Sequence, residues 1–175
     1  GLVSLAQFGV LEMHPWGSRV DRLEQPDRIV IDLDQDPSVP WKEVVATAHA
    51  LREVLETLGL VSFARTTGGK GLHVVVPIER RSSWDEVKSY ASAVATRMAK
   101  EEPERYVDNM SKQRRRGRIF VDYLRNGRGA TSVAAWSTRA REGAPVSMPI
   151  RWDEVAALES AAQFTVHNAV ARLGR

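Results

Sequence analysis

Apolar positions recur with two periods along this chain, and the changes of period mark out its elements. Residues 28–34 (RIVIDLD) run apolar and then place acids on alternate positions, as in a strand with one buried face. Residues 60–66 and 72–78 repeat the strand pattern on either side of a glycine-rich turn, so the three segments are expected to share a sheet. Further strands are expected at 9–14, before the turn at 15–17, and at 118–124 and 130–136, which flank the turn-like Asn126-Gly127.

Helical periodicity takes over from Pro40-Trp41 to Leu58. Apolar residues at 44, 45, 48, 51, 54, 55 and 58 form one stripe, and Gly59 is placed to end it. A second helix opens at Ser83, with Glu86 three residues on to complete a capping box. Its apolar face is Trp84, Val87, Tyr90, Ala91, Val94 and Met98. Residues 2–7 suit the end of a helix, 143–149 a loop, and 152–158 and 161–172 closing helices. About five strands with at least three helices predict an α+β domain with a partly exposed sheet.

With 175 residues the chain suits a single domain, 1–175, with a true core. It has no cysteine, which excludes disulfides and thiolate metal sites. No apolar run approaches the ~20 residues that span a bilayer. The first residues lack the basic start of a signal peptide and open in mid-pattern, as though cut from a longer chain. Charge is uneven. Residues 111–141 hold nine Lys or Arg against one acid, Asp122, so this segment carries +8 while the rest sums to −5. A basic stripe on a slightly acidic body points to a polyanion, against the plainer reading of a solvated arginine-rich surface.

Three constellations bear chemistry. Asp32 and Asp34, two apart on a strand, share a face and offer the oxygens that Mg²⁺ or Mn²⁺ prefer; the alternative is that they are loop and capping groups. Residues 66–73 (TTGGKGLH) combine backbone N–H groups freed by glycines with Lys70 and His73, a candidate phosphate cradle. The spacing is not that of a Walker A loop, and a plain hairpin with an exposed lysine is the other reading. Asp122, in GRIFVDYLRN, is either an ion-pair partner for its arginines or a third metal ligand from a neighbouring strand. His14 and Arg139 are further candidates, against structural and surface roles.

Taken in order, LEMHPWGSR, RIVIDLDQDP, TTGGKGLHVVVPI, GRIFVDYLRNGRGAT and WSTRAREGAPVSMPIRWDE resemble the polymerase domain of bacterial ATP-dependent DNA ligase D, in the archaeo-eukaryotic primase superfamily. The resemblance covers nearly the whole chain. It implies a primase-type catalytic core with an RRM-like, mostly antiparallel sheet flanked by helices, lacking the family's N-terminal part. It implies template-directed nucleotidyl transfer that fills or extends DNA ends in non-homologous end joining, with two Mn²⁺ or Mg²⁺ ions.

By the same resemblance Asp32, Asp34 and Asp122 are the catalytic, metal-binding acids. Thr67, Lys70, His73 and Arg139 hold the nucleotide triphosphate, and His14 lies near the sugar. On the charge pattern, Lys112, Arg114, Arg115, Arg116, Arg125 and Arg128 are expected to lie on the nucleic-acid backbone. The implied partners are DNA ends, including primer-template with a 5′-phosphate, NTP or dNTP substrates, a ligase domain and the Ku end-binding protein. The implied location is the bacterial cytoplasm, on the nucleoid. Thr67 stands where the family has serine, and Ala135 where it has proline. Two rival readings are a non-catalytic nucleotide-binding or nucleic-acid-binding remnant of that domain and a metal-dependent nuclease; the GGKGLH loop disfavours the latter, because diester hydrolysis needs no triphosphate cradle.

Overall fold

The computed structural model describes residues 1–173. Its centre is the acid-bearing strand predicted at 28–34. Strand β1 (Arg28–Gln35) pairs antiparallel with β3 (Leu72–Pro77) on one side and with β5 (Ile119–Asp122) on the other. β2 (Phe63–Thr66), β4 (Tyr106–Val107) and β6 (Pro149–Ile150) complete six strands in the order β4-β5-β1-β3-β2-β6. All pairs are antiparallel except β4–β5. The chain is therefore mixed α+β, with a mostly antiparallel sheet.

Alternation along each strand gives the sheet two unlike faces. Ile29, Ile31 and Leu33 of β1, with Leu72, Val74 and Val76 of β3, point to one side and are buried. Against them pack α2 (Trp41–Thr57), through Val44, Ala48, Leu51 and Leu55, and α3 (Trp84–Glu101), through Val87, Ala91, Val94, Ala95 and Met98. Gly59 follows α2 at φ +73°, a left-handed conformation that glycine adopts freely. At the start of α3 the Ser83 hydroxyl accepts from the Glu86 N–H, while Glu86 accepts from the Ser83 N–H at 2.7 Å. The other face carries Val30, Asp32 and Asp34. Helices stabilise the first face and leave the second free for polar chemistry.

Several expected elements differ. Residues 9–14 and 130–136 form no strand: Gly9 and Trp136 turn at φ +67° and +66°, and between them the Ala134 N–H donates to the Met13 carbonyl at 2.8 Å in an irregular pairing. Ser137, buried, accepts from the Met13 N–H at 2.9 Å and fastens the same two segments. The predicted loop 143–149 instead joins the sheet's edge. Thr138 bridges Val146, and β6 begins at Pro149. The closing helices shrink to α4 (Trp152–Val155) and a 3-10 turn at Ala169–Arg172. Residues 2–7 do form a helix, α1 (Leu2–Gln7). Tyr90, expected in the α3 face, is exposed, and Ala95 takes the inward position.

Candidate active site

Strand register assembles the predicted acids. Asp122 of β5 lies directly opposite Asp32 of β1, and His73 of β3 lies opposite Asp32 on its other side. Directly paired residues share a face, so Asp32, Asp34, Asp122 and His73 all stand on the face turned away from α2 and α3. A rigid ladder, rather than a loop, fixes their spacing.

Carboxylates placed opposite one another repel. Burial raises the Asp122 carboxyl above the ordinary aspartate range, and the charges of Asp32 and Asp34 add to the rise. The Leu124 N–H donates to Asp122 Oδ1 at 2.7 Å and works the other way. For Asp32 burial also acts upward, but the His73 imidazole and the guanidiniums of Arg125 and Arg65 outweigh it and hold it low. His73 Nε2 lies 3.4 Å from Asp32 Oδ2. Arg125 reaches both acids, 3.9 Å from Asp32 and 3.6 Å from Asp122. Arg115 pairs with the Asp34 carboxylate and stacks over Phe120, 4.9 Å from the ring centre.

Arg115 and Arg125, with Arg65 from β2, supply the counter-charge on this face. Among the described residues no three acid or histidine side chains converge closely enough to hold an ion. Asp34 is turned onto Arg115. The donor set nevertheless fits a hard divalent cation: three carboxylates on adjacent strands of one face, with a repulsion that raises Asp122.

The glycine-rich turn packs against this row. Gly68 takes φ +64°, and a Cβ there would lie 2.8 Å from Arg139 Cγ. At Gly71 a Cβ would meet the Leu33 carbonyl oxygen at 2.5 Å and Asp32 Oδ1 at 2.9 Å. The loop thus lies on β1 with no room for a side chain at Gly68 or Gly71. Thr67 closes the turn: its hydroxyl donates to the Gly71 carbonyl at 2.9 Å and accepts from the Gly69 N–H at 3.1 Å. The hydroxyl predicted to meet phosphate is in this structure spent on the loop. Lys70 is exposed at the tip.

His14 and Arg139 reach the site through a residue that sequence reasoning missed. Glu12 Oε2 lies 2.7 Å from His14 Nε2 and 3.1 Å from Arg139 Nε, and Oε1 accepts from the Ala140 N–H at 2.7 Å. The His14 contact leads in holding Glu12 down at about 2, with the Ala140 and Arg139 bonds helping against burial. Arg139 also donates to the Thr67 carbonyl at 2.8 Å, so it clamps the glycine loop.

The result is one cleft of about 360 Å³, lined by His14, Asp32, Asp34, Lys70, His73 and Arg139, with Thr67 and Arg125 at its wall. That volume suits a small-molecule ligand. Thr131 and Ser132 line it too, unmarked by any sequence signal, as does Arg141 from the basic segment. The basic residues divide. Lys112, Arg114 and Arg116 are exposed in the loop before β5, while Arg115 and Arg125 turn onto the acids. Arg128 forms a forked pair with Glu24, its closest contact 2.7 Å, beside Trp16.

The family model for the LigD primase-polymerase domain matches residues 1–175, the whole chain. The chain belongs to the LigD primase-polymerase family. Among similar proteins, the multifunctional non-homologous end joining protein LigD of Pseudomonas aeruginosa is 46% identical over 98% of this chain and 20% of its own length. The bifunctional non-homologous end joining protein LigD of Bacillus subtilis is 27% identical over 85% of this chain and 24% of its own. The polymerase domain of Mycobacterium tuberculosis ligase D, solved in complex with DNA, superposes with a TM-score of 0.89 at 30% identity. The match covers 98% of this chain and 62% of that one. The chain thus spans about a fifth of the first of these LigD proteins and under two thirds of the solved polymerase domain. For a LigD primase-polymerase fold, the primase-type core expected from the motifs is the one observed.

Proposed function

We propose that this chain catalyses template-directed nucleotidyl transfer onto DNA ends in double-strand-break repair by non-homologous end joining. The observation that carries the reading is the register: Asp122 and Asp32 directly paired, with His73 opposite and a glycine cradle lying on Asp32. Asp32, Asp34 and Asp122 would hold two divalent ions, Mn²⁺ or Mg²⁺, whose chemistry is to lower the pKa of the attacking hydroxyl and stabilise charge on the transferring phosphorus.

Each remaining group in the cleft has a task that follows from its charge and position. Lys70 and Arg139 offset the triphosphate, Lys70 as a mobile point charge and Arg139 as a fork fixed by Glu12 and Thr67. His73 donates a single N–H from a rigid strand. His14, held by Glu12 at the cleft's lining, would lie near the sugar. Backbone N–H groups of the loop add an anion-binding surface. These residues act by positioning and by preorganised electrostatics rather than by covalent chemistry.

Lys112, Arg114 and Arg116 would contact the nucleic-acid backbone, giving affinity that falls with salt and carries little sequence preference. The solved relative's complex with DNA supports a DNA-binding role for this fold. A 5′-phosphate on the DNA, a ligase domain and the Ku end-binding protein remain the partners that a role in end joining implies, in the bacterial cytoplasm at the nucleoid. Among the described residues no helix is long and apolar enough to cross a membrane.

Primer extension with Mn²⁺ and labelled nucleotide tests the proposal. Added nucleotides should match the template base, and Asp32→Ala and Asp122→Ala should each abolish addition. Undiminished extension by both variants would remove the site assignment.

A further inference from the structure

A buried cation lies behind the cleft, and the proposed chemistry gives it no task. Arg65 of β2 is only 7% exposed. It pairs across the ladder with His73, His73 with Asp32, and Asp32 with Asp122. The four side chains therefore form one row across four strands, with the cation at one end and the acids at the other.

Arg65 Nη2 lies 2.8 Å from His73 Nδ1, within a buried contact. A guanidinium has only donors, so Nδ1 must accept with its lone pair. Burial, helped by the nearby Arg28 charge, lowers Arg65 to about 10, which leaves it cationic at neutral pH. The ring proton then resides on the opposite nitrogen, Nε2, which faces Asp32. A ring protonated on Nδ1 would set N–H against N–H.

We infer that Arg65 is a positioning residue that fixes His73 as its Nε2–H tautomer and aims this N–H into the cleft. Two consequences follow from the chemistry. His73, though beside Asp32, has no lone pair at Nε2 and is kept out of the coordination shell of any ion held by the acids. It is instead a committed donor, for the Asp32 carboxylate or a phosphate oxygen. The 3.4 Å reach to Asp32 is long for N–H···O, so the donor is loosely engaged. The tautomer follows from the Arg65 contact alone; the phosphate role rests on the proposed function.

The test is nitrogen-15 NMR of the whole chain with labelled histidine at pH 7.5, His73 being assigned by its absence in His73→Gln. The expected spectrum has a protonated Nε2 and a bare Nδ1. Arg65→Met should return His73 to a mixture of tautomers, and Arg65→Lys, which keeps a donor, should preserve the parent form. A proton on Nδ1 of the parent, or an Arg65→Met spectrum identical to it, overturns the inference. If Arg65→Met does not fold, the parent spectrum and Arg65→Lys decide. In primer extension, Arg65→Met should raise the nucleotide KM about tenfold while kcat changes less. A parent protein with no extension at all would count against the proposed function, while the tautomer measurement stands by itself.

Discussion

Asp32 and Asp122 face each other directly across the β1–β5 ladder, two carboxylates in a position where sheets ordinarily place opposite charges or apolar pairs. Such an arrangement costs stability in the protein alone. It becomes useful when a cation is to be held between the strands.

The first prediction concerns that cost. Because Asp122 is raised in the fold, the folded protein holds its proton more readily than the unfolded chain does. Stability therefore falls as pH rises from the unfolded aspartate value through the folded one, and stays reduced above it. Asp122→Asn removes the charge and should raise stability by about 1 kcal/mol at pH 7, the scale typical of relieved strain at a functional site. It should also abolish nucleotide addition. Urea melts of parent and variant at pH 7 read the sign directly.

Glu12 gives the opposite sign. Its folded value of about 2 lies below the ordinary 4.5, so the stability it contributes is full above pH 4.5 and is lost as pH falls toward 2. Melts of Glu12→Gln should lack that loss between pH 4.5 and the acid limit of folding. At neutral pH the same variant should loosen His14 and Arg139 together, raising the nucleotide KM.

Asn126 extends the β1 ladder by imitating a strand. Its side chain accepts from the Val30 N–H and donates to the Val30 carbonyl, both at 2.8 Å, and it is buried. Asn126→Ala leaves two backbone groups of β1 unsatisfied and should cost about 2–4 kcal/mol. The denaturation midpoint should drop with an unchanged m-value.

Gly71→Ala should separate the glycine loop from β1. The added methyl would fall 2.5 Å from the Leu33 carbonyl oxygen, so loop or strand must move. The expected result is a folded protein, destabilised by about 1–3 kcal/mol, with nucleotide binding weakened at least tenfold. Calorimetric titration with a nucleotide and Mn²⁺ measures it.

Charge removal at Lys112, Arg114 and Arg116 should weaken DNA binding evenly across sequences. If all three contact phosphate, the slope of log affinity against log salt should fall by about 2.7, since each contact adds ~0.9. Fluorescence anisotropy with labelled duplexes at several salt concentrations reads that slope.

Much of this was legible in the chain because strand alternation is a local signal. Asp32 and Asp34 on one face, the hairpin 60–78 in the same sheet, and the capped helix at Ser83 all follow from period and cap chemistry. Asp36, past the end of β1, closes a turn by accepting from the Ser38 N–H at 3.1 Å. Pairings between distant segments carry no such signal. Residues 9–14 and 130–136 read as strands because they are largely apolar, but their backbone bonds scatter: Ala134 bonds Met13, Val10 bonds Leu5 and Trp136 bonds Ser147. Glu12 and Arg65 went unmarked for a related reason. Each acts through a residue far away in sequence, and a lone charge beside apolar neighbours looks like surface. The motif His73 was visible; the arginine that fixes its proton was not.

The most direct test of the central claim is template dependence. Purified chain, a primer-template with one unpaired template base and Mn²⁺ are given each of four nucleotides in turn. The account predicts addition of the complementary nucleotide only, lost in Asp32→Ala. Addition that ignores the template base, or that survives Asp32→Ala, would contradict it.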